Sequence, residues 1–198
     1  MEYFLKTREE CRQIVENSET FYVTETVVEG CKVELYDYRL ASIKDFTDNE
    51  AFELRGLTFV EQTDGTWERN ILMNKFFNVN QTVGWMEDDV KDKKIVRVQD
   101  KLDGSVISFV KFPNGTVRAK SKMSFTSEQA VMAQKLYDKN ENLRMFINEV
   151  MSLDKTPIFE IIGISNQIVL EYEKDELILL QIRDNKTGEY ENLYSNTI

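Results

Sequence analysis

Two β-rich runs, Val96-Arg-Val-Gln and Val106-Ile-Ser-Phe-Val110, flank Asp103-Gly104, and a reversal this tight constrains the chain to antiparallel neighbours at that point. Val96 and Val98 alternate with Arg97 and Gln99, so period 2 buries the valines and sends Arg97, Gln99 and Lys101 to the opposite face. Lys101 then points into a cleft or into solvent, and Gly104 beside it leaves room for a phosphate to approach. An amine there becomes a nucleophile only if its pKa falls from about 10.4, through desolvation or through other cations crowded around it. Taken alone, the string is equally an ordinary surface hairpin.

Charge distinguishes this region. Between Lys91 and Lys122 nine bases face three acids, in a chain whose net charge is −10. The acidic total argues against sequence-blind nucleic-acid binding by overall charge, while the basic island suits a compact polyanion such as a triphosphate or a strand end. With 41% hydrophobic residues over 198 positions the chain is expected to fold as one globular domain, or one plus a small appendage. No apolar run is long enough for a membrane span, and the amino terminus lacks the order of a signal peptide, so a cytoplasmic protein is expected. There is no histidine, and the two cysteines, Cys11 and Cys31, are not spaced for zinc and are expected to be reduced. Any metal must therefore be hard and oxygen-bound, as magnesium is.

Along the chain, Thr7 to Asn17 predicts a short amphipathic helix capped by Thr7, with Cys11, Ile14 and Val15 inward. Phe21–Thr26 and Lys32–Tyr38 predict a hairpin through Glu29-Gly30, and Tyr36 and Tyr38 share a face. Glu53 to Val60 is a strand entered through Arg55-Gly56, where the arginine supplies a fork for phosphate oxygens. Ile71 to Asn78 is mainly apolar but interrupted by Lys75, a lysine either snorkelling to the surface or held in a partly apolar pocket. Gly84 to Lys94 reads as an exposed connector. Val117 to Lys122 is a strand with Arg118, Lys120 and Lys122 on one face, either an exposed edge that discourages aggregation or a clamp for a triphosphate. Two scaffold helices follow, the first capped by Thr126 or Ser127 and running through Asp138, the second spanning Glu141–Met151. Strands at Pro157–Gly163, 168–172 and Glu176–Arg183 come next, the first carrying one carboxylate, Glu160, which needs a partner or a ligand.

Lys101-x-Asp103-Gly104-Ser105, then Lys120-Ser-Lys122-x-Ser124, Phe159-Glu160 and Leu179-Leu-Gln-Ile-Arg183 resemble the motif order of the covalent nucleotidyltransferases, the ligases and capping enzymes. Leu54-Arg55-Gly56, Asn74-Lys75-Phe76-Phe77-Asn78, Tyr38-x-x-Ala41-Ser42 and Ser127-Glu128-Gln129-Ala130 narrow the resemblance to the phage RNA ligase 1 family, which repairs cleaved tRNA. It runs over essentially the whole chain.

The resemblance implies an α+β nucleotidyltransferase core of mainly antiparallel sheets with flanking helices. It also implies ATP-dependent joining of RNA 5′-phosphate and 3′-hydroxyl ends through a lysyl-AMP, with Mg²⁺, in the cytoplasm of an infected host cell. Lys101 matches the nucleophile. Arg55 and Lys122 match residues that contact the nucleotide phosphates, and Tyr38, Lys75, Phe77, Gly104 and Glu160 match others lining the nucleotide pocket; no metal ligand is assigned. Residues 1–198 would form the N-terminal part of the adenylyltransferase domain, a family-specific segment over 1–90 followed by a core over 91–198. The family's Glu-Gly and Lys-x-Lys motifs and its helical domain are not found before Ile198. The alternative is a truncated, non-catalytic module that binds nucleotide or RNA. A DNA ligase or capping-type transferase fits the Arg55 and Lys75 segments less well.

Overall fold

Glu29 and Gly30, both at positive φ, reverse the chain between β1 (Phe21–Val28) and β2 (Cys31–Tyr38), whose register pairs Phe21 with Tyr38 at one end and Val28 with Cys31 at the other. The meander continues through β3 (Leu57–Glu61) and β4 (Trp67–Asn70), giving a four-stranded antiparallel sheet in the order β1-β2-β3-β4. A second antiparallel sheet, in the order β6-β5-β7-β8, comprises β5 (Ser105–Lys111), β6 (Val117–Lys120), β7 (Lys155–Ile162) and β8 (Glu176–Asp184). The computed structural model describes Tyr3, residues 5–95 and 98–163, Leu170 and residues 172–193.

The pleat decides how these sheets pack. On β2 the run from Val33 to Asp37 is buried on both faces. Tyr36, with Leu57 and Phe59 of β3, joins a core completed by Cys11 of α1 (Arg8–Glu16) and Phe46 of α2 (Ile43–Asn49). Val33 and Leu35 point the other way, with Val60, against Val110, Phe112 and Phe125 of the second half. That half repeats the scheme: Ile107, Phe109, Phe159 and Ile161 pack beneath Ala133 and Tyr137 of α4 (Glu128–Lys139) and Ile147 of α5 (Glu141–Ser152). The layers therefore run helices, sheet, sheet, helices, and each fully buried aliphatic or aromatic side chain contributes about 1.5–3 kcal/mol of transfer free energy. Thr7 closes a capping box with Glu10 at the start of α1, and Ser127 and Asn140 cap α4 and α5.

Several expectations change. Trp67–Asn70 is a strand where none was expected, and β3 starts at Leu57 rather than Glu53. The connector from Gly84 contains a short exposed helix, α3 (Glu87–Val90). Val98 is 85% exposed, not buried, and no strand precedes the Asp103-Gly104 bend among the described residues; β5 pairs forward with β6 and β7 instead. Val96 and Arg97 lie outside the described residues, as does most of the strand expected at 168–172, of which Leu170 and Tyr172 are not in a strand. Among the described residues no helix is long and apolar enough to cross a membrane.

Candidate functional site

From the first half, the turn Arg55-Gly56 between α2 and β3 is fixed by its backbone. Arg55 N–H donates to Glu53 O at 2.7 Å and Gly56 N–H to Tyr36 O at 2.9 Å. The Arg55 guanidinium then reaches Met73 O at 3.2 Å and lies 5.7 Å over the exposed ring of Phe76. Lys75, anchored by its N–H to Phe52 O at 2.7 Å, places its ammonium 4.8 Å from the centre of the Phe77 ring. Burial, then the charges of Arg55 and Lys122, push the half-buried Lys75 amine below its ordinary pKa. Phe77 and Tyr38 both pack edge-on against Phe46, at 6.2 and 4.8 Å, so the apolar core beneath α2 orients both rings.

The second half supplies the rest. Lys122 follows β6, bonds Asp37 of β2 at 2.7 Å, and sits 5.2 Å over the Tyr38 ring. Glu160 is nearly buried on β7, opposite Val106 of β5. Burial lifts its carboxyl pKa, while a hydrogen bond from Gly104 N–H and the charges of Lys101 and Arg55 oppose that rise. Lys101 is exposed, on the segment leading into β5, with its charge in electrostatic reach of Glu160. Arg55 thus links the two sets, acting on Glu160 on one side and on Lys75 on the other. All eight residues singled out in the sequence, Tyr38, Arg55, Lys75, Phe77, Lys101, Gly104, Lys122 and Glu160, fall into this one connected region across the two sheets.

Two roles differ from expectation. Gly104 is small because β7 passes close by: a Cβ there would lie 2.2 Å from Ile161 O and 3.0 Å from Glu160 Cγ, so its space is taken by protein and not left for phosphate. Nor do Arg118, Lys120 and Lys122 form an exposed edge or a shared clamp. Arg118 pairs with Glu29 at 2.6 Å, Lys120 is fully buried, and only Lys122 turns toward Tyr38. The sequence reading also missed Asp37, which is buried with Oδ1 unpartnered, and Tyr172, whose hydroxyl accepts the Asp103 N–H at 3.0 Å. A carboxylate set between two tyrosines was the available signal for Asp37.

Among the described residues no cluster of three or more acidic or cysteine side chains could hold a metal ion, and the Asp37 carboxylate is already engaged by Lys122. The described residues thus assemble no dedicated magnesium site of protein ligands alone. A separate cavity of about 700 Å³, lined by Thr7, Arg8, Trp67, Arg69, Asp154 and Lys186 among others, contains none of the eight residues.

Residues 53–198 match the RNA ligase family. A putative RNA ligase of Thermovibrio ammonificans is 32% identical over 153 residues, 77% of this chain and 39% of that protein. A putative bifunctional polynucleotide kinase/RNA ligase of Autographa californica nuclear polyhedrosis virus is 26% identical over 204 residues, covering 85% of this chain and 29% of that protein. The chain therefore spans about two fifths or less of these relatives. Two solved forms of an archaeal ATP-dependent RNA ligase share the fold, with TM-scores of 0.61 and 0.57, identities of 12% and 13%, and coverage of 92% and 90% of this chain against 44% and 43% of theirs. The mixed helix and antiparallel-sheet architecture is the nucleotidyltransferase fold expected from the motifs, and the match over residues 53–198 establishes that this chain belongs to the RNA ligase family.

Proposed function

We propose that this chain carries the adenylyl-transfer chemistry of an ATP-dependent RNA ligase. Lys101 Nζ attacks the α-phosphorus of ATP; a P–N bond forms, the bond to the β-phosphate oxygen breaks, pyrophosphate leaves, and the amine loses a proton to solvent. The adenylyl group then passes from Lys101 to the 5′-phosphate of an RNA end, releasing the amine. A 3′-hydroxyl attacks that phosphate, closing the phosphodiester and releasing AMP. Each step moves charge among phosphate oxygens, so cations held in place supply most of what the protein can contribute.

The observation that carries this reading is the gathering of Lys75 and Lys122 with Arg55, whose charge, like that of Lys101, also acts on Glu160 in the second sheet, while Lys122 bonds Asp37 in the first. Arg55 and Lys122 would take the phosphates, the Tyr38 and Phe77 rings would bound the base, and Lys75 would add charge beside Arg55. Glu160, kept in place by Gly104 N–H, would accept from the ribose or from a nearby water. Cleaved tRNA ends as the substrate, a bacteriophage setting and magnesium as the metal partner of ATP are parts of the same proposal.

The test is joining of a 5′-phosphorylated RNA to a 3′-hydroxyl RNA with ATP and magnesium, run beside nicked DNA and GTP. ATP-dependent RNA joining lost in Lys101→Ala is expected. Preference for DNA or GTP would favour the ligase or capping relatives, and ATP binding without joining or adduct would favour a non-catalytic binding module.

A further inference from the structure

Lys120 belongs to none of the roles above, yet it is the most completely buried lysine of the region, with no exposed surface. The register of the second sheet sets it opposite Ser108 on β5, which in turn faces Ile158 on β7, so its side chain leaves the sheet on the side of the interface with the first sheet, the side shared by Glu160. Its ammonium donates to three backbone carbonyls: Gly56 O at 2.9 Å, Lys122 O at 3.3 Å and Ser121 O at 3.4 Å. One acceptor belongs to the turn that carries Arg55 and another is the backbone of Lys122 itself. Gly56 meets the same spot from the other side: a Cβ on it would fall 2.8 Å from Lys122 O, so the two segments touch backbone to backbone. Three donors on one side chain, matched to three carbonyls, leave little freedom for either segment to slide.

We infer that Lys120 is a positioning residue, a pin between the sheets that sets the spacing of the Arg55 and Lys122 side chains for the phosphates of the nucleotide. This deepens the adenylyl-transfer reading and rests on it. A buried amine is a costly way to fasten two loops: desolvation, with the charge of Lys122 adding and that of Asp37 opposing, draws its pKa down to about 7. Protonated or neutral, the amine keeps at least two N–H donors, so the pin holds in both forms.

The test compares the wild-type chain with Lys120→Met, which keeps length and burial but removes the donors, after circular dichroism shows both folded. Binding of a non-hydrolysable ATP analogue and of adenosine is titrated at about pH 6.5 and about pH 8.5, on either side of the Lys120 midpoint. Loss of the analogue's affinity by on the order of tenfold or more at both pH values, with adenosine binding unchanged, is expected. Unchanged binding of both ligands, an equal loss of both, or a loss confined to the lower pH would overturn the inference, the last because it marks a missing charge rather than a missing pin. If wild type binds neither ligand, the reading of the whole site falls before Lys120 is reached. Should Lys120→Met fail to fold, Lys120→Leu, which likewise has no donor, carries the same comparison.

Discussion

Two of the charged junctions between the halves are built on opposite plans. At one, Arg183 of β8 is fully buried and all its donors are spent: Nη1 and Nη2 bond Glu53 at 2.8 and 3.0 Å, Nη1 also reaches Leu72 O, and Nε and Nη2 share Gly188 O. The ring of Tyr190 covers its guanidinium at 4.5 Å. At the other, Asp37 has an oxygen without a partner, Lys122 is 41% exposed, and Arg55 and Lys75 rest over aromatic rings close enough to each other to depress the Lys75 pKa. A saturated junction fastens the fold and has nothing left to offer a ligand. The unsaturated one holds like charges together at a cost that an anion would offset.

The strongest way to break this contrast is Arg183→Met. It strands Glu53 in the core, and a loss of about 3–5 kcal/mol in urea unfolding is expected, with partial recovery when Glu53→Gln is added. A loss under about 1 kcal/mol would show that the junction is not saturated in the sense argued here.

A smaller effect sharpens the contrast through pH. Lys120 binds fewer protons folded than unfolded between about pH 7 and about 10.4, so its contribution to stability rises with pH across that window, by up to about 1.4 kcal/mol per unit. Cys11, raised by burial to about 12, works in the opposite sense above about pH 8.5, where only the unfolded thiol ionises. Subtracting the stability profile of Lys120→Met from that of wild type between about pH 7 and 8.5 isolates the lysine, and a flat difference would show that the folded amine stays protonated across that window, refuting the lowering of its pKa by burial.

Smallest in stability is Lys75→Met. Removing a desolvated amine from among cations should leave unfolding within about 1 kcal/mol of wild type, or slightly more stable, while ATP affinity drops. Loss of stability with binding intact would place Lys75 among the fastenings instead.

The same contrast explains what the sequence made legible. Local chemistry was readable: Thr7 and Glu10 announce the cap of α1, Glu29-Gly30 announces the first hairpin, and the order of Lys101, Lys122 and Glu160 pointed to one site. What a residue meets across the interface was not. Period 2 put Lys120 on the correct face of β6, but nothing in the strand says that this face meets the first sheet and not solvent. Val98 failed for the converse reason, since alternation supplies an apolar face without supplying a partner strand to cover it. Arg183 read as the end of a strand and of a family motif, but not as a fastening, because its partners, Glu53 and Leu72, lie more than a hundred residues earlier. Gly104 was read as space for a ligand when that space belongs to β7.

The central claim is that the exposed amine at the head of β5 is the point of nucleotide attachment. Incubation of the chain with ATP and magnesium, followed by peptide mapping by mass spectrometry, tests it directly. The account predicts a single acid-labile AMP adduct on Lys101, absent from Lys101→Ala. An adduct on another lysine, or bound ATP with no adduct under conditions where the fold is intact, would contradict it.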